Sequence, residues 1–482
     1  MPGSGDCAGD SALPAATGHL LADEGRLSLD DDVRTFLPEL PGYGKPITLR
    51  HLLHHTSGLR DYTELLELGG HDDADLTSDE DALFAITHQR ALNFPTGTEW
   101  SYSNTGYFLL SLVVRRVTGQ TLAVFEKERI FDPLGMRNTH VHDDHKRLVP
   151  RRAVAYAKGE DGQIGVAMSD FEQTGDGAVM STVRDLARWD ASFSSPKLGG
   201  TSLLEAQRTP GHLDDGRPLT YAMGIIVDDV AGLAREWHGG SWAGYRAVFM
   251  RFPTEKLGVA VLCNSADATP VSLATAVAGV FLPRIAAASV PVATPAPKTG
   301  SPPDLDPTTM VGSYLDRATL AVRNVRIHDG VLGLQTTLDP GTPRELVQQD
   351  ARTFAVKGAR IELRATRGSN QQVQQLVEKQ GESSAETFDR LEPVTVATAA
   401  LGDYAGRYES DEIARDLELF VREGKLVAAS YGRAPTRQLR PVIHDGFNGG
   451  GMGFLFERDG RGQITGFTLS ANRIHGIRWK KR

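Results

Sequence analysis

The chain has only two cysteines in 482 residues, Cys7 and Cys263. That excludes a disulfide scaffold and leaves the compartment open. No apolar run approaches the ~20 residues that a bilayer-spanning helix needs, so no membrane span is expected. There is no basic block or stripe, and the net charge of -9 is spread along the chain. This argues against nucleic acid as a partner and against anionic membrane surfaces. Met1 to Gly18 has neither a basic start nor an apolar core and does not read as a signal peptide. As written, the chain reads as cytoplasmic, with its native compartment unknown. The composition, 40% hydrophobic and 23% charged, is that of an ordinary globular protein. The length leaves room for a large catalytic domain with one or two smaller modules.

Local signals are clear in the first half. Leu20 to Leu29 reads as the end of an amphipathic helix with Gly25 as its stop. Thr48 is a good N-cap for a short helix through Leu52 and Leu53, and Gly58 ends that segment. Tyr107, Leu110, Val113, Val114 and Val117 recur at a helical period that closes at Gly119. Thr121 caps a further helix broken by Pro133, and Ser181 or Thr182 caps another from Val183 to Trp189. After about residue 235 the character turns to β. Gly244 to Phe252 and Lys256 to Cys263 form a hairpin around Pro253-Thr254-Glu255. Val259-Ala260-Val261-Leu262 is continuously apolar and predicts an interior strand, and Val271 to Ile285 predicts an Ala-rich helix.

Ser289 to Pro307, rich in Pro, Ala, Thr and Ser, reads as a linker. Two β-rich segments follow and echo one another. Val311-Gly-Ser-Tyr314 matches Ala405-Gly-Arg-Tyr408, and Asp329-Gly-Val-Leu332 matches Glu423-Gly-Lys-Leu426. Arg344-Glu-Leu346 matches Arg437-Gln-Leu439, with Phe354 and Phe447 following. A period of this length predicts duplicated domains rather than a solenoid, each a small barrel or sandwich. The expected division is 1–288, a linker 289–307, and β-domains 308–395 and 398–482.

Four strings carry the chemistry: Leu52-Leu53-His54-His55-Thr56-Ser57-Gly58-Leu59, Tyr102-Ser103-Asn104, Phe131-Asp-Pro-Leu-Gly-Met136 and His238-Gly239-Gly240. In this order and spacing they resemble the class C β-lactamase and D-alanyl-D-alanine carboxypeptidase group, which also includes esterases and peptidases. The resemblance covers roughly residues 20 to 285. The C-terminal segments resemble the lipocalin-like domains that often follow such enzymes. The resemblance implies an α+β fold: a β-lactamase/transpeptidase-like domain, N-terminally incomplete, then two small all-β lipocalin-like domains. It implies cleavage of an amide or ester of a small molecule or peptide through an acyl-serine, with no cofactor and no metal. Many relatives are exported.

The resemblance also assigns roles. Tyr102 shuttles the proton that activates the nucleophile. Asn104 offers its amide to substrate. His238 stands where many relatives carry lysine, and Gly239 and Gly240 let substrate lie along the strand. The Ser241 amide is half of an oxyanion hole. The first motif of the group, Ser-x-x-Lys, is expected near the N-terminus and is missing there. The first lysine is Lys45, and no serine before it has a lysine three residues on. Family spacing places the nucleophile near Ala8 and the lysine near Ser11, and Pro14 falls inside the helix that should carry them. The loss of helix and side chains in one block reads as a wrong start or frameshift rather than evolved loss. Whether the chain is an enzyme therefore stays open. The expectation is an inactive hydrolase, and the alternative is a non-catalytic binding protein using the cleft or the β-domains.

Three further strings have blander readings. His51, His54 and His55 share a helical face, yet no carboxylate sits at ligand spacing, so zinc is disfavoured. Ser57 lies in a turn and is a poor substitute nucleophile. Lys298-Thr299-Gly300 spells the family's third motif, but inside the linker, and reads as chance.

Overall fold

The structure is a computed structural model. It describes residues 5–6, 12–71, 75–159, 162–194, 198–289, 305–336, 341, 343–357, 359, 361–368, 372–380, 385–392, 394, 396–430 and 436–482. Positions 8–11, most of the 289–307 linker and Lys298-Thr299-Gly300 lie outside them. The chain divides into two compact units: Met1–Thr63, Asp73–Thr87 and Phe94–Pro295 in one, and Glu64–Asp72, His88–Asn93 and Ala296–Arg482 in the other.

The first unit is α+β. Its main sheet is antiparallel, with strands Ile226–Val230, Leu233–Trp242, Tyr245–Phe252 and Leu257–Cys263 in sequence order. One face packs Val248, Met250, Phe252 and Val259 on Ala274 and Ala278 of the helix Pro270–Phe281. On another, Ala247, with Ala260 and Leu262 beside it, packs against Leu186 of the helix Val183–Ser192. The predicted hairpin is there, but Val259 to Leu262 is not interior. Among the described residues the Leu257–Cys263 strand pairs only with Tyr245–Phe252 and ends the sheet. Its apolar run comes from having both faces covered by helices, not both edges by strands. The expected single helix to Ile285 is two, because Pro283 cannot donate to the turn before it and starts a new one.

The N-terminal helix does form, from Ala12 to Asp23, despite Pro14. Proline in the first turn removes an N–H that would have no partner there anyway. Ala15, Ala16, Thr17 and Leu21 are fully buried, so the helix sits in the core. Its end at Gly25, in the left-handed region at φ 68°, is as the sequence predicts.

The strand that carries His238 is held by a buried ion-pair network. Glu236 accepts from Arg251 at 2.8 Å and from Arg208, and Arg251 also donates to Asp190 at 2.6 Å. The side chains of Arg251 and Glu236 are 9% and 6% exposed.

The second unit holds two closed eight-stranded antiparallel barrels, Gly312 to Arg390 and Gly406 to Lys481. The echoes in sequence are equivalent positions in structure. Each barrel opens on a glycine at unusual φ, 156° at Gly312 and 148° at Gly406. Two residues on, a buried tyrosine donates back across four residues: Tyr314 to the Met310 carbonyl and Tyr408 to the Tyr404 carbonyl, both at 2.7 Å. Asp329-Gly330 and Glu423-Gly424 make the same tight hairpin turn, all four at positive φ. Phe354 and Phe447 lie in the barrel interiors. Within this unit, Glu64 accepts from the Arg473 amide at 2.8 Å and the Asn472 side chain at 3.0 Å. Asn93 brackets the same turn, donating to the Arg473 carbonyl and accepting from the His475 amide, both at 2.8 Å.

Replacing Glu236 by Ala removes one acceptor from Arg208, which is partly exposed, and leaves the buried Arg251 with Asp190 alone. A cost of about 1–3 kcal/mol is expected, which lowers the Tm of the first unit by roughly 2–4 °C per kcal/mol. Calorimetry checks it, and an unchanged transition would show that the network does not hold the strand.

Candidate functional site

The site is built around the end of one short helix. Thr48 caps Leu49–Leu53 as the sequence predicts: its hydroxyl accepts from the His51 amide while His51 Nδ1 accepts from the Thr48 amide at 3.1 Å. The helix stops at Leu53, so the three histidines do not share a face. His51 serves the cap. His54 Nδ1 donates to the Tyr221 carbonyl at 3.3 Å, with its ring pressed on the Cα of Gly211. His55 turns to φ 56°, and its ring sits in a nest of aromatic rings.

His55 is the hub of that nest. Its ring centroid lies 4.2 Å from Tyr102, 4.6 Å from Tyr221 and 5.1 Å from Tyr107. Its Nδ1 accepts from the Ser103 amide at 3.2 Å, and its carbonyl from the Ser101 amide at 3.0 Å. These two bonds fix the backbone on both sides of Tyr102. Tyr102 in turn lies 6.3 Å from His238, ring to ring. The structure therefore brings Tyr102 and His238, 136 positions apart, to one place. It also adds Tyr221, whose hydroxyl is 3.2 Å from His238 Nε2.

Ser103 precedes the helix Asn104–Thr118 but does not cap it with its side chain, and its buried hydroxyl makes no hydrogen bond. The capping is done from another segment. Asp61, fully buried, accepts from the Asn104 amide at 2.8 Å, placing a carboxylate at a helix N-terminus where the dipole favours it. The Asn104 side-chain nitrogen is 3.5 Å from both Asp61 and Thr63. Thr105 locks the junction, donating to the Arg60 carbonyl at 2.6 Å and accepting from the Tyr62 amide at 2.8 Å.

His238 begins the open part of its strand. The Ile226–Val230 strand covers Leu233 to Trp237 and then ends. Gly239, Gly240, Ser241 and Trp242 pair with Val248, Ala247, Arg246 and Tyr245 on one side, and among the described residues no strand lies on the other. An added Cβ on Gly239 would find ordinary contacts, its nearest atom 3.7 Å away. Gly239 is thus not demanded by packing inside the sheet.

The sequence profile of the beta-lactamase family matches residues 12–280, more than half of the chain. The chain belongs to the beta-lactamase family. A D-aminopeptidase of Cereibacter sphaeroides is 30% identical over 426 residues, 86% of this chain and 75% of that protein. Penicillin-binding protein 4* of Bacillus subtilis is 30% identical over 266 residues, 52% of this chain and 58% of its own. Among solved structures, an octameric penicillin-binding protein homologue from Pyrococcus abyssi aligns with a TM-score of 0.54 at 21% identity, covering 80% of this chain and 89% of that one. A D-stereospecific amidohydrolase from Streptomyces aligns at 0.51 and 24%, covering 58% and 87%. These show the beta-lactamase fold, and the two closed barrels are consistent with lipocalin-like domains.

Several residues packed around Tyr102 and His238 escape a motif search. Tyr221 belongs to no spaced string, and only its place just before the sheet hints at it. Tyr107 reads as a helix core position, which it also is. Asp61 could have been found as a carboxylate ahead of a helix start. Ser57 accepts from the Leu59 amide at 3.2 Å inside a turn, as the sequence reading has it. Ser194-Ser195-Pro196-Lys197 spells Ser-x-x-Lys, a string missed by looking only near the N-terminus. Ser194 follows the end of a helix rather than opening one, and positions 195–197 lie outside the described residues.

Burial pushes the His54 imidazole down to about 4, and its bond to the Tyr221 carbonyl offsets this only in part. His140 and His142 are pushed to about 4 by burial as well. The folded values lie below the unfolded value, so the stabilisation is complete above about pH 6.5 and is lost as pH falls toward 4. His54 accounts for at most about 3 kcal/mol of that loss. His54→Leu should flatten the slope of stability between pH 7 and 4.5, measured by urea midpoints. A slope equal to wild type would exclude His54 as a source.

Proposed function

We propose that the chain carries the recognition half of an acyl-transfer site, binds amides or esters with a D-configured residue, and forms no acyl-serine as its residues stand. One observation carries this: Tyr102 and His238 meet beside an open strand edge, while the first 45 residues offer no Ser-x-x-Lys. The D-aminopeptidase relative supports the choice of ligand. In this reading Tyr102 and His238 line the cleft and the Asn104 amide faces it. Gly239 and Gly240 accept the ligand backbone along the strand, and the Ser241 amide meets the scissile carbonyl. An unactivated serine hydroxyl is a weak nucleophile, so positioned groups without it bind and do not turn over.

The test uses the 482-residue protein with a fluorophosphonate probe, a chromogenic β-lactam and D-alanine p-nitroanilide, followed by intact mass. No adduct and no turnover are expected, with saturable binding of the anilide that is weakened at least tenfold in Tyr102→Ala. A stoichiometric adduct on any serine would overturn the proposal, as would absence of binding.

A further inference from the structure

We propose that Asp61 and Thr63 are positioning residues that turn the side-chain amide of Asn104 so that its oxygen, and not its nitrogen, is offered to a ligand. The ligand group opposite Asn104 is then a hydrogen-bond donor, an ammonium or an N–H. The proposal rests on the reading of Asn104 as part of the binding site, but its first test needs no ligand.

An asparagine amide has one end that only donates and one that only accepts. Which end faces out follows from what faces in. Here two oxygens face in: Asp61 Oδ1 and Thr63 Oγ1 each lie 3.5 Å from Asn104 Nδ2. Thr63 has a single hydroxyl hydrogen, and it goes to Asp61 Oδ1 at 2.5 Å. The same Oδ1 also takes the Thr63 backbone N–H at 3.0 Å. Thr63 Oγ1 is therefore left with lone pairs for Asn104, and Asp61 Oδ1, already an acceptor twice over, has no hydrogen to give. Turning the amide over would set the Asn104 oxygen against both, beside a carboxylate that is fully buried. The two contacts to Nδ2 are long. The amide is held less by their strength than by the oxygen-on-oxygen repulsion that the opposite direction would meet in a buried place.

The oxygens that face in are themselves anchored. Asp61 Oδ2 accepts the Asn104 backbone N–H at 2.8 Å, which ties the carboxylate to the start of the helix. Thr105, the next residue, holds the chain on both sides of Asp61 through the Arg60 carbonyl and the Tyr62 amide. Asn104 Oδ1, by contrast, accepts no hydrogen bond among the described residues and is not shut away from water. It is the end of the amide left for a ligand. Hydrogen bonds in series polarise one another, so a carboxylate behind the NH2 group strengthens the oxygen in front as an acceptor. Such an acceptor favours a charged donor over a neutral one. A ligand that placed an ether or carbonyl oxygen there would meet a second acceptor and lose the contact, so the same geometry that attracts donors rejects acceptors.

Hydrogen exchange of side-chain amides, followed in the full chain labelled with ¹⁵N-asparagine, reads the orientation. The Asn104 signals are assigned by their loss in Asn104→Leu. Asn138 is the reference: it is exposed, and its side chain makes no hydrogen bond among the described residues. The Asn104 NH2 is expected to exchange at least about tenfold more slowly than that of Asn138. Asp61→Asn lets the amide turn over and should bring the rate up to that of Asn138. Where that variant does not fold, Thr63→Val removes one of the two acceptors and should raise the rate. The second arm compares D-alanine p-nitroanilide with the analogue carrying a methoxy group in place of the amine, which accepts but cannot donate. The wild-type chain should bind the amine at least about tenfold more tightly, and the ratio should fall toward one in Asn104→Leu and in Asp61→Asn. A merely structural role of Asp61 would weaken both ligands alike and leave their ratio unchanged. Wild-type exchange as fast as that of Asn138 overturns the proposal, and so do equal binding of the two ligands and a ratio that survives Asn104→Leu. If neither ligand binds, the proposed function falls by itself, and the exchange rates still decide the orientation of Asn104.

Discussion

The aromatic cluster around His55 depends on one knot of buried polar contacts at the end of the Leu49–Leu53 helix. Leu53 offers a carbonyl, His54 a ring N–H and His55 a ring nitrogen and a carbonyl. They are satisfied from two distant stretches of chain: Ser101, Ser103 and Tyr107 in one, and the Tyr221 backbone in the other. A buried polar group left unmade costs roughly 1–3 kcal/mol. The satisfaction of four such groups at once therefore specifies where those segments must lie. The positive φ of His55 is the local cost of sending adjacent side chains in opposite directions. The motif Leu52 to Leu59 contains none of the groups that face a substrate in the proposed reading, yet through His55 it holds the backbone on both sides of Tyr102.

This separates what the sequence reveals from what it conceals. Helix starts and stops at Thr48, Gly25, Gly119 and Thr182 were legible because a cap is a local bargain between one side chain and one backbone group. The barrel duplication was legible because tight turns and the returning tyrosine each need particular residues at fixed offsets. The edge position of Val259 to Leu262 was not, since an apolar run reports covered faces and is silent on pairing edges. Nor was the role of Tyr221. A residue whose importance lies in a hydroxyl meeting a ring nitrogen on another strand carries no spacing signature. Asp61 stands between these cases: capping by a residue 43 positions away obeys the same electrostatics as a local cap, but not the same spacing.

Pro14 and Pro283 show that a residue's effect depends on its place in the turn. Both are proline at or near a helix start, and both helices form. Reading Pro14 as a breaker assumed that the helix had begun earlier. Pro283 was ignored because the alanine content around it was high. In each case the N–H inventory of the first turn decides the outcome, and composition does not.

The strand edge from Gly239 to Trp242 has a consequence for handedness. An edge strand engages a partner through amide and carbonyl groups, and successive side chains of that partner stand on opposite sides of the ladder. Inverting one stereocentre leaves those amides in place but sends its substituent to the other side, where a different surface waits. In the proposed reading, a ligand laid along this edge is told from its mirror image by which flank of the ladder has room, without any group that recognises the side chain itself. Chemically diverse residues would then be accepted so long as their configuration is shared.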